Sequence, residues 1–149
     1  MAHLLPEIQR GWARPHILGR LDKYTSGLVL ISKTPQAHRK LQKQMDKRQV
    51  QRRYFALVWG AVKPQQGIID RPIGEVPGRP GVMEVREDGR EAVTEYRVTR
   101  VFRLPAGSAG PGCPDAVSAV HARLWTGRTH QVRVHFAAIG HPVLGDDMY

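Results

Sequence analysis

Cysteine occurs once in the 149 residues, at Cys113 inside the Gly/Pro-rich run PAGSAGPGCPD. One thiol excludes an intrachain disulfide framework and a cysteine-rich zinc site, and a reducing intracellular compartment, the cytoplasm, is the expectation. No apolar run reaches the roughly 20 residues of a membrane span, and the opening MAHLLPEIQRGWARP has no signal-peptide core. A membrane partner is therefore not expected. No Gly-x-Ser-x-Gly elbow surrounds Ser26, and there is neither a P-loop nor a dinucleotide fingerprint. There is no internal repeat and no linker separating two cores, so residues 1–149 are expected to form a single domain.

Acid is scarce as well. Lys and Arg total 23 against 13 Asp and Glu, for a formal charge of +10 and a pI near 10.5. An excess of that size points to a polyanionic partner, with nucleic acid ahead of a membrane surface. The hydrophobic share, 41%, fits a globular core.

Several elements can be placed from pattern. GLVLISKT (27–34) is a short β-branched run that predicts a buried strand. Thr34 followed by Pro35 is a helix start, with a hydroxyl at the cap and proline in the first helical position. Ala37, Leu41 and Met45 then form one apolar stripe, with Arg39, Lys40, Lys43 and Lys47 on other faces. Residues 52–62 alternate as a strand, and 92–102 and 116–127 read as two more. The run 64–91 is rich in Gly, Pro and charge and reads as long loops with a short hairpin. Residues 103–116 suit an exposed hairpin tip. For GRTHQVRVHFAAIGHP, a helix capped by Thr129 and stopped at Gly140-His141-Pro142 is preferred over a strand.

Few residues carry chemistry. His130 and His135 are five apart, about 140° around a helix or opposite faces of a strand. With His141 and no clustered Cys or carboxylate they do not complete a ligand set, and no metal is expected. Asp22 is a lone carboxylate between Arg20 and Lys23, just before the expected strand. A cation is needed to keep such an acid ionised. The ionised form can serve as a nucleophile or as a plain ion pair tying two elements together. Tyr54, on a basic and apolar strand, is either core or a ring for an extruded base.

Four stretches, in order, resemble the RluA-type pseudouridine synthases of the RluA/RsuA superfamily. GRLDKYTSGLVLISKT resembles their H-R-L-D-x-x-T-S-G-L motif, and RRYFALVWG their K-x-Y-x-A segment. GREAVTEYRV resembles G-K-x-A-x-T-x-Y, and LWTGRTHQVRVHFAAIGHPVLGDDMY the closing T-G-R-T-H-Q-I-R-V-H…G-H-P-I-x-G-D-x-x-Y block. The resemblance implies an α+β fold on a mixed, mostly antiparallel sheet with packed helices. It implies isomerisation of specific uridines in an rRNA or tRNA stem-loop to pseudouridine, without cofactor or metal. By motif, Asp22 is the catalytic nucleophile, Tyr54 packs on the target base, and Arg133 pairs with the catalytic carboxylate. Arg20, Lys23, Arg128 and His130 fall on the RNA side. A basic rim would offset the few kcal/mol needed to unstack the base.

Gly19 stands where the family has histidine, and Tyr24 where an acidic or small residue is common. The family's N-K-P-x-G motif would precede residue 1 and an L-H-A segment would follow Tyr149. The expectation is therefore a catalytic domain incomplete at both ends, with a non-catalytic RNA-binding fragment as the alternative.

Overall fold

The computed structural model describes residues 15–105 and 112–149. The tip of the 103–116 hairpin (106–111) and the opening segment (1–14), on which the signal-peptide reading rests, lie outside the described residues. The chain divides after Val50 into two compact units, and each is described by itself.

The first unit pairs β1 (His16–Leu18) antiparallel with β2 (Leu30–Ser32), His16 opposite Ser32 and Leu18 opposite Leu30. Helix α1 (Pro35–Asp46) follows. Its start is the expected one: extended Thr34 accepts from the Ala37 N–H at 3.1 Å, and Pro35 opens the first turn. Ala37, Leu41 and Met45 are half-buried and the basic residues exposed, as the stripe predicted. Ser32 joins helix to hairpin: its hydroxyl donates to the His16 carbonyl (3.1 Å) and lies 3.3 Å from His38 Nδ1.

One expectation fails here. The 27–34 run is not a buried strand, for only three of its residues pair, Leu28 is fully exposed and Leu30 is 43% exposed. A short apolar run reads the same whether it lies in a sheet interior or in a two-stranded ribbon, and periodicity cannot separate the two.

The second unit is built on an antiparallel sheet ordered β3 (Arg52–Trp59), β8 (Ala116–Leu124), β7 (Val93–Arg103), β4 (Gln66–Asp70). A hairpin, β5 (Ile73–Glu75) with β6 (Met83–Val85), and helix α2 (Gln131–Ala138) complete it. Every strand pairing among the described residues is antiparallel, and the α+β expectation holds. Central β8 is almost wholly buried, whereas β3 alternates: Tyr54, Ala56 and Val58 turn to the core and Arg53 and Phe55 away. The core gathers Val58, Val62, Ile69, Tyr96, Val120, Ala122 and Phe136, with Phe136 and Tyr96 edge-to-face at 5.6 Å.

The 64–91 region holds more strand than its composition suggested. Its β4 joins the main sheet as an edge, where Gly67 leaves room for the Tyr96 ring: a Cβ there would lie 2.9 Å from the Tyr96 hydroxyl oxygen. Turn residues mask short edge strands because the pairing is supplied by a neighbour distant in sequence.

Helix α2 bears out the helical reading of the closing block, with two amendments. Its N-cap is His130, in the left-handed region at φ 56°, and not Thr129. The backbone reverses there, so the Thr129 side chain is not the cap. The stop is as expected: Gly140, at φ 79°, donates to the Ala137 carbonyl and His141 to the Phe136 carbonyl, a Schellman ending.

Candidate active site

The closing block is held by a chain of buried polar groups. Gln131 and His135, one helical turn apart, both reach Thr94 on β7. His135 Nε2 lies 2.9 Å from the Arg71 carbonyl, which can only accept, so that nitrogen carries the proton. Nδ1 then accepts from the Thr94 hydroxyl (2.9 Å), whose oxygen accepts from Gln131 Nε2 (3.0 Å). Gln131 also donates to the Val93 carbonyl, and its Oε1 accepts from the Thr126 hydroxyl and the Arg128 N–H. Thr126 in turn accepts from the Val93 N–H at 2.8 Å. Every member is matched, so the network costs little to bury and fixes the 126–131 turn against β7. Burial pushes the His135 pKa down, and the Arg71 carbonyl bond only partly opposes this, so the ring is neutral.

A second cluster projects from the same helix. Arg133 grips Asp146 through both arms of its fork, Nε to Oδ2 at 2.6 Å and Nη2 to Oδ1 at 2.8 Å. The Asp146 side chain is 2% exposed and that of Arg133 21%. Burial pushes the Asp146 carboxyl up, but the Arg133 bonds and the Met148 N–H outweigh it and hold the pKa below the ordinary carboxylate value. The guanidinium also stacks over Tyr149, 4.9 Å from the ring centre. The Tyr149 oxygen accepts from the Met83 N–H (2.9 Å) and lies 2.7 Å from His130 Nδ1. Arg133 is thus a positioned cation with one edge still reachable from solvent.

The other expected site residues are placed as follows. Tyr54 is half-buried on the core face of β3, opposite Ala122. Arg128 is half-buried, and its Nε donates to the Glu91 carbonyl at 2.8 Å. His130 belongs to the Tyr149 contact. In the first unit, half-buried Asp22 opens a tight turn in which its carbonyl accepts from the Thr25 N–H at 3.0 Å. Arg20 and Lys23 on either side are exposed, and the Lys23 ammonium sits 4.9 Å over the Tyr24 ring.

Sequence reasoning does not single out Asp146, Tyr149, Thr94, Thr126 or Gln131. Asp146 and Tyr149 figure there only as letters of a matched block, and Thr94 lies 37 residues from Gln131. No periodicity reports contacts of that range.

A hairpin-and-helix unit, an antiparallel sheet carrying a clamped arginine helix, and the four ordered motifs together fit the α+β class that the resemblance implies, and the comparisons agree. The family model described as RNA pseudouridylate synthase matches residues 8–138, and the chain belongs to that family. It is 42% identical over 139 residues to an uncharacterized RNA pseudouridine synthase of Aquifex aeolicus, covering 93% of this chain and 41% of the relative. It is 41% identical over 136 residues to ribosomal large subunit pseudouridine synthase D of Nitrosomonas europaea (91% and 36%). It is 36% identical over 147 residues to the dual-specificity RNA pseudouridine synthase RluA of Escherichia coli K12 (98% and 62%). Among solved structures, human RNA pseudouridylate synthase domain containing 1 superposes with a TM-score of 0.80 at 28% identity, covering 98% of this chain and 59% of that one. The chain therefore spans less than two thirds of the length of these relatives.

Proposed function

We propose that this chain carries the uridine-isomerising centre of an RNA pseudouridine synthase, acting in the cytoplasm on a stem-loop of ribosomal or transfer RNA. The observation that supports this most is the family match over residues 8–138, a range that takes in the Asp22 turn, the Tyr54 strand and the Arg133 helix. The bond from ribose C1′ to N1 of uracil breaks, the base turns, and C1′ bonds to C5. C5 loses a proton and N1 gains one, so the formula is unchanged and no oxidant or cofactor enters the balance. Asp22 supplies the carboxylate that adds to C1′ or to the uracil ring. The Tyr54 ring packs on the turned base. Arg133 supplies the cation of the centre, held in orientation by Asp146 and Tyr149. Arg20, Lys23, Arg128 and His130 meet the RNA around it.

The test is tritium release from RNA labelled at uracil C5. Asp22→Asn is expected to lower release by at least about 10³-fold while leaving RNA affinity within about twofold. Release at the unmutated rate from the variant would remove Asp22 from the chemistry. An unmutated chain that binds RNA but releases nothing would establish the binding-only alternative.

A further inference from the structure

The sheet of the second unit has one face under α2 and the core, and strand register identifies what stands on the other. Phe55, His121 and Arg97 form one row across β3, β8 and β7, and Arg53, Arg123, Glu95 and Ile68 the next, ending on β4. All alternate with the core residues Tyr54, Ala122 and Tyr96, so they point away from α2. Beyond the irregularity between Val98 and Arg100, Arg100 and Phe102 return to this face beside Ala119 and Val117. Phe55 is 61% exposed, Phe102 40% and Trp125 39%.

The rings are interleaved with guanidinium groups. Arg123 lies over Trp125 at 4.3 Å and Arg100 over Phe102 at 5.0 Å, while Phe55 meets His121 edge-on at 5.5 Å. Two carboxylates share the face: Asp70, two residues beyond Ile68 on β4, and Glu95, which accepts from Trp125 Nε1 at 3.1 Å and lies 3.5 Å from Arg123. Four arginines against two acids leave net positive charge beside exposed aromatic faces. A polypeptide docked here would bury guanidinium groups that the face itself does not neutralise. A polyanion with stacking bases supplies both missing partners.

We propose that this outward sheet face, opposite the one that carries Tyr54 and α2, is a platform for unpaired RNA, which stacks bases on Phe55 and Trp125 and sets phosphates on the surrounding arginines. It rests on the RNA-directed reading above and adds a second binding surface, through which single-stranded nucleotides flanking the target would be held.

The experiment uses the whole chain and a single-stranded uridine-rich 12-mer carrying 4-thiouridine. Phe55→Ala with Trp125→Ala is expected to weaken binding by about tenfold or more. Arg97→Gln with Arg123→Gln should lower the slope of log affinity against log salt by about 0.7 for each phosphate no longer neutralised. Photo-crosslinks on the unmutated protein, mapped by mass spectrometry, should fall on Phe55, His121 and Trp125 and not only on Tyr54 of the opposite face, a readout independent of whether the variants fold. Unchanged affinity and slope in folded variants, or crosslinks on the unmutated protein that miss Phe55, His121 and Trp125, would overturn the platform. So would concentration-dependent protection of Phe55 and Trp125 without RNA, which would make the face a self-interface. Tritium release that persists while these face measurements fail would remove the platform alone. Failure of the unmutated chain to bind any RNA would remove both readings.

Discussion

The turn that carries Asp22 and the block that carries Arg133 are built in opposite ways. Around Asp22, local order comes from a backbone bond to Thr25 and a three-residue ribbon, with exposed Lys23 and Tyr24 alongside. Around Arg133, buried side chains from α2, β7 and the closing segment satisfy one another, and Arg133 itself is locked to a carboxylate 2% exposed. The difference teaches where chemistry and stability separate. Asp22→Asn keeps the side chain's shape and the backbone bond to Thr25, whereas each group of the arginine block leaves a buried partner unmatched when removed. The Asp22→Asn prediction, tritium release lost with RNA affinity kept, is the largest effect expected on the Asp22 side of this contrast.

Its counterpart in the block is Asp146→Asn. Losing the bidentate partner of a mostly buried guanidinium is expected to destabilise the chain by about 2–3 kcal/mol, below the fully buried figure because Arg133 retains some solvent. Chemical denaturation would measure it. A loss under about 0.5 kcal/mol would mean the clamp is not structural and would erase the contrast. Catalysis should fall with it, since the cation loses its orientation.

Acidity gives a graded version. His135 is buried neutral and its pKa is lowered, so above about pH 6.5 it is neutral in both folded and unfolded chains and exerts no pull. As pH falls below that value the unfolded chain takes up a proton that the folded chain resists, and stability declines. Asp146, also lowered, contributes stability that is present above the ordinary carboxylate pKa near 3.8 and is lost as pH falls through its folded value. Melting temperature followed from pH 8 to 3 should therefore drop in two limbs, and His135→Gln should flatten only the upper one. A single limb confined below pH 4 would contradict the buried-neutral assignment.

The smallest effect belongs to the first unit. Thr34→Ala removes the bond to Ala37 at the start of α1, at about 1 kcal/mol. Hydrogen exchange should register it in α1. Exchange spread equally into β7 and β8 would show that the helix start does not act locally.

The elements that sequence revealed well are those whose signals are local. Thr34-Pro35 opens α1, alternation marks β3, and Gly140 with His141-Pro142 stops α2. Those it obscured depend on distant partners: β4 pairs with β7, the 27–34 run lies in a two-stranded ribbon, and a left-handed His130 takes the cap expected of Thr129. The site divides the same way. The motifs pointed to Asp22, Tyr54 and Arg133 as letters in order, but the carboxylate set against Arg133 within its unit, Asp146, had no local signature.

Composition and motif order by themselves determined a basic α+β chain of the pseudouridine synthase family, because charge balance, hydrophobic period and capping act over a few residues and need no partner. Tertiary structure alone decided that His135 is a neutral strut between Thr94 and Arg71, that Asp146 and Tyr149 orient Arg133, and that three strands align arginines and rings on one face. Those outcomes depend on contacts between segments tens of residues apart. Which buried donor meets which acceptor is settled only when the chain closes on itself.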